Sequence, residues 1–199
     1  MVKKLLRTVP ALTIWFLISF FLWGFIFGIL RNPPAEKKVV IYADVPAMAD
    51  TDLAVALEAD MPAGLKMIEA HPFFYAMFGS DNLPVSDIYL VREENGAAWA
   101  EEGCFVDLEA ADALPALESA LVPFGGTLGE TLISGDGVVW GIKVYDAATG
   151  TGIAKNYIIY ESEVMASADY YLCFSSSSAH VGGADEKAID IACGLIRLG

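Results

Sequence analysis

Hydrophobic and polar positions divide this chain into two unequal parts. From Ala11 to Leu30 no charged residue occurs, and Trp15, Phe16, Phe20, Phe21, Trp23, Phe25 and Phe27 crowd the run. An apolar helix of about 20 residues, rising about 1.5 Å per residue, crosses the roughly 30 Å hydrocarbon layer of a bilayer. In lipid a helix satisfies its own backbone hydrogen bonds, so this is the form the segment is expected to take. Lys3, Lys4 and Arg7 precede the run, and Arg31-Asn32-Pro33-Pro34 follows it. A cleaved export signal has a core of about 7–15 apolar residues and a small-x-small cleavage site. This run is longer, and its flank lacks such a site. The pattern therefore predicts a cytoplasmic tail at residues 1–10, an uncleaved transmembrane signal anchor at 11–30 and a tether at 31–37. The basic tail favours an inside N-terminus, with residues 38–199 as an extracytoplasmic domain.

Beyond the tether, short apolar runs alternate with polar segments. Lys38-Val39-Val40-Ile41-Tyr42-Ala43-Asp44 is rich in β-branched residues and reads as a buried strand. Asp50 and Thr51 offer caps to a helix over residues 52–59, where Leu53, Ala56 and Leu57 form an apolar stripe. Residues 65–70 and 87–91 predict two further strands. A polar helix over 92–102 carries Trp99 and ends at Gly103, and a shorter one covers 114–121. Gly135-Asp136-Gly137 is a turn signal. Residues 138–145 and 156–160 then read as neighbouring strands joined by a loop at 146–152. Residues 169–174 form a last strand. Ala188, Ile191, Ala192, Leu195 and Leu198 place an amphipathic helix over 185–198. Strand–helix alternation in the first half predicts a parallel core. The expected fold class is α/β, a mixed and mostly parallel sheet with helices on both faces, preceded by one N-terminal transmembrane helix.

Charge narrows the range of partners. All 26 acidic residues but only nine of the 12 basic ones follow residue 30, so that part has a formal charge of −17. Such a surface repels phosphate backbones, which argues against nucleic acid and leaves neutral or cationic ligands easier to accommodate. Cys104, Cys173 and Cys193 match no metal knuckle or redox pair. Cys173 and Cys193 lie in apolar runs and read as buried thiols. No Gly-x-Ser-x-Gly elbow is present, and the acidic residues are scattered. The expectation is a protein that is not an enzyme and that uses no cofactor and no metal.

Several segments, in order, resemble bacterial extracellular solute-binding proteins of ABC importers. Lys38-Val39-Val40-Ile41-Tyr42 with its following helix is similar to the start of their first lobe. So is Ser86-Asp87-Ile88-Tyr89-Leu90-Val91, followed by a helix that ends in Gly103-Cys104-Phe105-Val106-Asp107-Leu108. Asp136-Gly137-Val138-Val139-Trp140-Gly141-Ile142 resembles a further family strand, with Lys143 where a proline is usual. Asp169-Tyr170-Tyr171-Leu172 resembles the late strand that returns to the first lobe. The resemblance spans most of residues 38–198 but covers a single periplasmic-binding-protein-like lobe, where the family has two. The lipid-anchored cysteine familiar in the family is also missing.

The resemblance implies a small polar solute, such as a sugar or peptide, bound where strands end together. The residues expected there are Asp44, His71, Tyr75, Ser80, Ser176 within the Ser175–Ser178 run, and His180, with Phe78 nearby. The same residue types are favoured at turns and caps, which is the competing reading. His71 and His180 lack metal-ligand spacing. A second class of function is a surface module that docks a partner protein, including a membrane protein beside the anchor. Protease added to intact cells is expected to remove residues 38–199 while the N-terminal peptide stays in the membrane fraction by mass spectrometry. Protection of the domain would reverse the orientation.

Overall fold

The computed structural model describes residues 2–73, 85–124, 132–152, 155–158, 167–182 and 185–198. The chain divides into two compact units, the first ending at Pro34 and the second beginning at Ala35. The first contains helix α1 (Val2–Arg31), which runs through Pro10 and starts ahead of the apolar stretch. Lys3, Lys4, Leu5, Leu6 and Arg7 are good helix formers and extend it. Val9–Ile29 has a mean hydropathy of 2.2 with none of it buried in protein, long and apolar enough to cross a membrane.

The second unit is α/β and built on one mixed sheet. Its strands are β1 (Lys38–Ala43), β2 (Met67–Pro72), β3 (Ile88–Arg92), β4 (Leu132–Gly135), β5 (Val138–Asp146), β6 (Thr151–Gly152) and β7 (Tyr170–Phe174). They lie in the order β2-β1-β3-β7-β5-β4, with β6 also on β5. β1 pairs in parallel with β2 and β3. The pairings of β7 with β3 and β5, and of β5 with β4 and β6, are antiparallel. The parallel pairings are thus confined to β1, β2 and β3, and α2 makes the crossover from β1 to β2 that a parallel pair requires.

Helices α2 (Asp50–Glu58), α4 (Leu114–Leu121) and α6 (Lys187–Arg197) share the larger core with one sheet face. Ile88 and Leu90 of β3, and Leu172 and Phe174 of β7, point into it. Tyr89, Val91, Tyr171 and Cys173 point the other way, into an aromatic cluster with Trp99, Phe105 and Trp140. Helix α3 (Glu93–Glu101) supplies Trp99 to that cluster. Strands β3 and β7 are covered on both faces, which explains their unbroken apolar sequences. The expectation of helices on both faces is met. Cys173 and Cys193 are buried, Cys104 is half-buried, and all three are free.

Two expectations from the sequence fail. Among the described strands the sheet is not mostly parallel: two pairings are parallel and four antiparallel, because β7 enters against β3 and the later strands join by antiparallel neighbours. Residues 156–158, expected to begin a strand beside β5, do not pair with it, and residues 159 and 160 lie outside the described residues. Residues 155–158 form a short helix, α5 (Lys155–Ile158), whose Tyr157 carbonyl accepts a 2.8 Å hydrogen bond from Ala49 N. The partner of β5 comes before it: Asp136 and Gly137, at φ 52° and 81°, form a two-residue turn from β4. Positive φ at both central residues matches the right-handed twist of a hairpin. Among the described residues, β5 has β7 on one side and β4 and β6 on the other.

Helix α3 lies close against the aromatic cluster at Gly96. A Cβ there would sit 2.9 Å from Trp140 Cη2 and from Val91 Cγ2. Replacing glycine by alanine inside an exposed helix stabilises by about 1 kcal/mol. Here Gly96→Ala is expected to destabilise by about 1–3 kcal/mol through overpacking, read as a lower denaturant midpoint. A raised midpoint would show that α3 is free to move away from Trp140.

Candidate functional site

Strands that end together expose their last residues to one another, and the carboxyl edge of β1 and β3 shows this. Asp44, one residue past β1, donates its backbone N–H to Leu90 O at 2.8 Å. Its side chain is buried beside the end of β3. There Oδ2 accepts from Arg92 Nε at 3.1 Å and from Asn95 Nδ2 at 2.6 Å. Oδ1 is buried with no hydrogen-bond partner among the described residues. Arg92 reaches outward as well, its Nη1 lying 2.9 Å from Glu94 Oε1. Burial works against the Arg92 charge, but Asp44 outweighs it and holds the guanidinium protonated. Burial, reinforced by Asp44, pushes the Tyr170 phenol well above its usual range.

β5 runs in the same direction as β3, so its last residue, Asp146, reaches the same edge. Lys143 Nζ lies 2.6 Å from Asp169 Oδ2 and 3.4 Å from Asp146 Oδ2. Asp169 Oδ1 accepts from Ala147 N at 2.8 Å, which fixes the entry to β7. The hydrogen bond from Lys143 to Asp169 raises the lysine's pKa. Between Arg92 and Asp169 opens a cleft of about 910 Å³, lined also by Glu93, Glu94, Ala147, Ala148, Ser167 and Ala168.

The residues expected in one crevice are divided between two edges. Asp44 lies at the carboxyl edge. His71, on β2, is also near that edge, its side chain 43 % exposed and its ring tilted against that of Tyr42 with centroids 5.3 Å apart. Ser176 and His180 are at the opposite edge, because β7 is antiparallel to β3 and its chain leaves at the amino ends of the parallel strands. Tyr75, Phe78 and Ser80 fall outside the described residues.

At the amino edge the polar side chains tie the backbone together. Asp87 accepts from Val40 N at 2.9 Å and from Ser178 Oγ at 2.6 Å. Ser86 Oγ is 2.8 Å from the carbonyls of Val40 and Ile88. Ser175 Oγ accepts from Ser177 N at 3.3 Å. These are the turn-forming roles that the serine run allows.

Sequence reasoning missed Arg92, Asn95, Lys143 and Asp169. Arg92 lies 48 residues from Asp44. Their meeting depends on β1 and β3 being parallel neighbours. The one local sign was a charged residue closing each of two apolar strands. Compared with protein families, with curated proteins and with solved structures, the chain matches none.

Removing one member of a buried ion pair leaves the other uncompensated. Arg92→Ala is therefore expected to destabilise the domain by about 3 kcal/mol. The Asp44→Ala, Arg92→Ala double variant should lose less than the two single losses together. Additive losses in denaturant titrations would show that the two side chains do not interact.

Proposed function

We propose that this chain is a membrane-anchored, non-enzymatic extracytoplasmic domain, and that it binds a small polar solute at the carboxyl edge of its sheet. The observation that carries the reading is the open cleft beside Arg92, the outer member of the Asp44–Arg92 pair. It pairs a charged lining with an inner wall fixed by buried hydrogen bonds. Open α/β sheets bind ligands outside the carboxyl ends of their strands. The resemblance to one lobe of a solute-binding protein supports the same reading. So does the return of β7 into the sheet formed by the first-half strands, as the resemblance implies for that segment. The apolar helix α1 supports the anchor, and the basic tail supports the orientation.

Charge sets the kind of solute. Glu93, Glu94 and Asp169 outnumber Arg92 among the residues lining the cleft. That excess disfavours an anion and suits a neutral or cationic polar molecule, such as a sugar or a peptide carrying a free amine. An open face on a single lobe buries only one side of a ligand, so affinity is expected to be weak, with Kd on the order of 1 mM.

The test is calorimetric titration of the full chain in detergent with neutral sugars, short cationic peptides and inorganic phosphate. Saturable heat with a sugar or peptide and none with phosphate is expected. Glu93→Gln with Glu94→Gln should weaken the cationic ligand more than the neutral one. No heat from any ligand would overturn the reading in favour of a surface that docks protein.

A further inference from the structure

His180 lies in the connection from β7 to α6, and its side chain is 1 % exposed. Its two ring nitrogens both face acceptors. Nε2 is 2.9 Å from the carbonyl oxygen of Ala35. Nδ1 is 3.2 Å from Asp185 Oδ1, an ion-pair distance away from the line of a good hydrogen bond. A neutral imidazole has one N–H, so it serves one acceptor and turns a lone pair toward the other. An imidazolium presents N–H groups to both. We propose that His180 is protonated in the folded domain and forms a pH-sensitive clasp. The clasp ties Ala35, the first residue of the second unit, to the segment that leads into α6, and it opens as pH rises.

The surrounding bonds make the clasp a junction. His180 N donates to Ser178 Oγ at 3.0 Å, and Ser178 Oγ donates to Asp87 at 2.6 Å. His180 O accepts from Ala188 N at 3.2 Å, which reaches the first turn of α6. One imidazole therefore connects the entry turn at Ala35, the Asp87 network between β1 and β3, and the start of the last helix. Among the charged groups facing it, Asp185 and Asp87 favour the proton. Lys187, bonded to Asp185 through both its ammonium and its N–H, partly neutralises that carboxylate. Glu36 and Lys37, in the turn that begins at Ala35, are exposed to solvent. Burial opposes the charge, but the Ala35 carbonyl, Asp185 and Asp87 outweigh it, and the imidazole titrates above its ordinary value.

The direction of the pH effect follows from linkage. A histidine with a folded pKa above its unfolded value of about 6.5 stabilises fully below that value. That stabilisation is lost as pH rises through the folded pKa. Asp185 is held below its ordinary value: burial opposes this, but Lys187 and His180 prevail. Its contribution is present above the ordinary carboxylate pKa and is lost as pH falls through its lowered one. The clasp is therefore strongest in the mildly acidic range between the two titrations.

Imidazole NMR of the full chain in detergent tests this, in a His71→Gln background so that one histidine titrates. His180 is expected to titrate above about 6.5. Hydrogen exchange at Ala188 N–H, corrected for intrinsic rates, should speed up across the same titration. Each unit of upward pKa shift corresponds to an opening about tenfold more frequent once the proton is lost. Asp185→Asn should lower the titration point. His180→Asn should flatten the thermal midpoint between about pH 6 and pH 9. A titration at or below the ordinary histidine value would overturn the proposal, as would unchanged protection of Ala188. If His180→Asn does not fold, the titration in the parent background still decides.

Discussion

The antiparallel insertion of β7 between β3 and β5 joins the two halves of the domain. β3 contributes five register pairs to it, from Ile88↔Phe174 to Arg92↔Tyr170. On its other side β7 receives β5, and through β5 the hairpin with β4. Without β7 the parallel strands β2-β1-β3 would end in an open edge next to a buried core, and unpaired edge groups buried away from water are costly. The side chains of β7 serve both cores at once. Leu172 and Phe174 meet the helices of one face, while Tyr171 and Cys173 meet the aromatic cluster on the other. Its direction also distributes the chemistry, sending Asp169 to the carboxyl edge and the serine run with His180 to the amino edge.

The two edges carry different electrostatics. At the carboxyl edge the buried Asp44 and the partly exposed Arg92 form a pair whose outer member remains in contact with solvent and with Glu94. Desolvation of Asp44 is offset by two side-chain donors, and Oδ1 is left without one. At the amino edge Asp87 uses both oxygens, and its partners are a backbone N–H and a hydroxyl. A saturated network of that kind rigidifies. The carboxyl edge differs in having a buried acceptor, Asp44 Oδ1, without a hydrogen-bond partner among the described residues, and a cleft beside Arg92.

Much of the fold was legible because burial imposes periodicity. Leu53 and Leu57, recurring at helical spacing, are buried in α2, and Ala188, Ile191, Ala192 and Leu195 are buried in α6. The apolar runs of β3 and β7 were legible as strands, and their unbroken form matches burial on both faces. The hairpin partner of β5 was misplaced because Asn156-Tyr157-Ile158-Ile159-Tyr160 has strand composition, and short apolar runs do not distinguish a strand from a buried helical turn. The Asp136-Gly137 signal was read, but the strand before it is only four residues long. The site was less legible than the fold. Asp44 was found because it closes a strand. Its partners Arg92 and Asn95 required strand order, and the placement of His180 required the direction of β7. Both are long-range properties with no local signature.

The three free thiols give the domain a property unrelated to ligands. Burial raises the pKa of Cys173 well above its usual value, and burial raises those of Cys193 and Cys104 as well. A protonated thiol inside packed protein is a poor nucleophile. Cys173, fully buried, is expected to react with alkylating reagents only when the sheet opens, whereas Cys193 also borders a surface pocket. Packing alone, with no crosslink among these cysteines, holds the core. The rate at which Cys173 becomes modifiable thus reports how often the middle of the sheet opens.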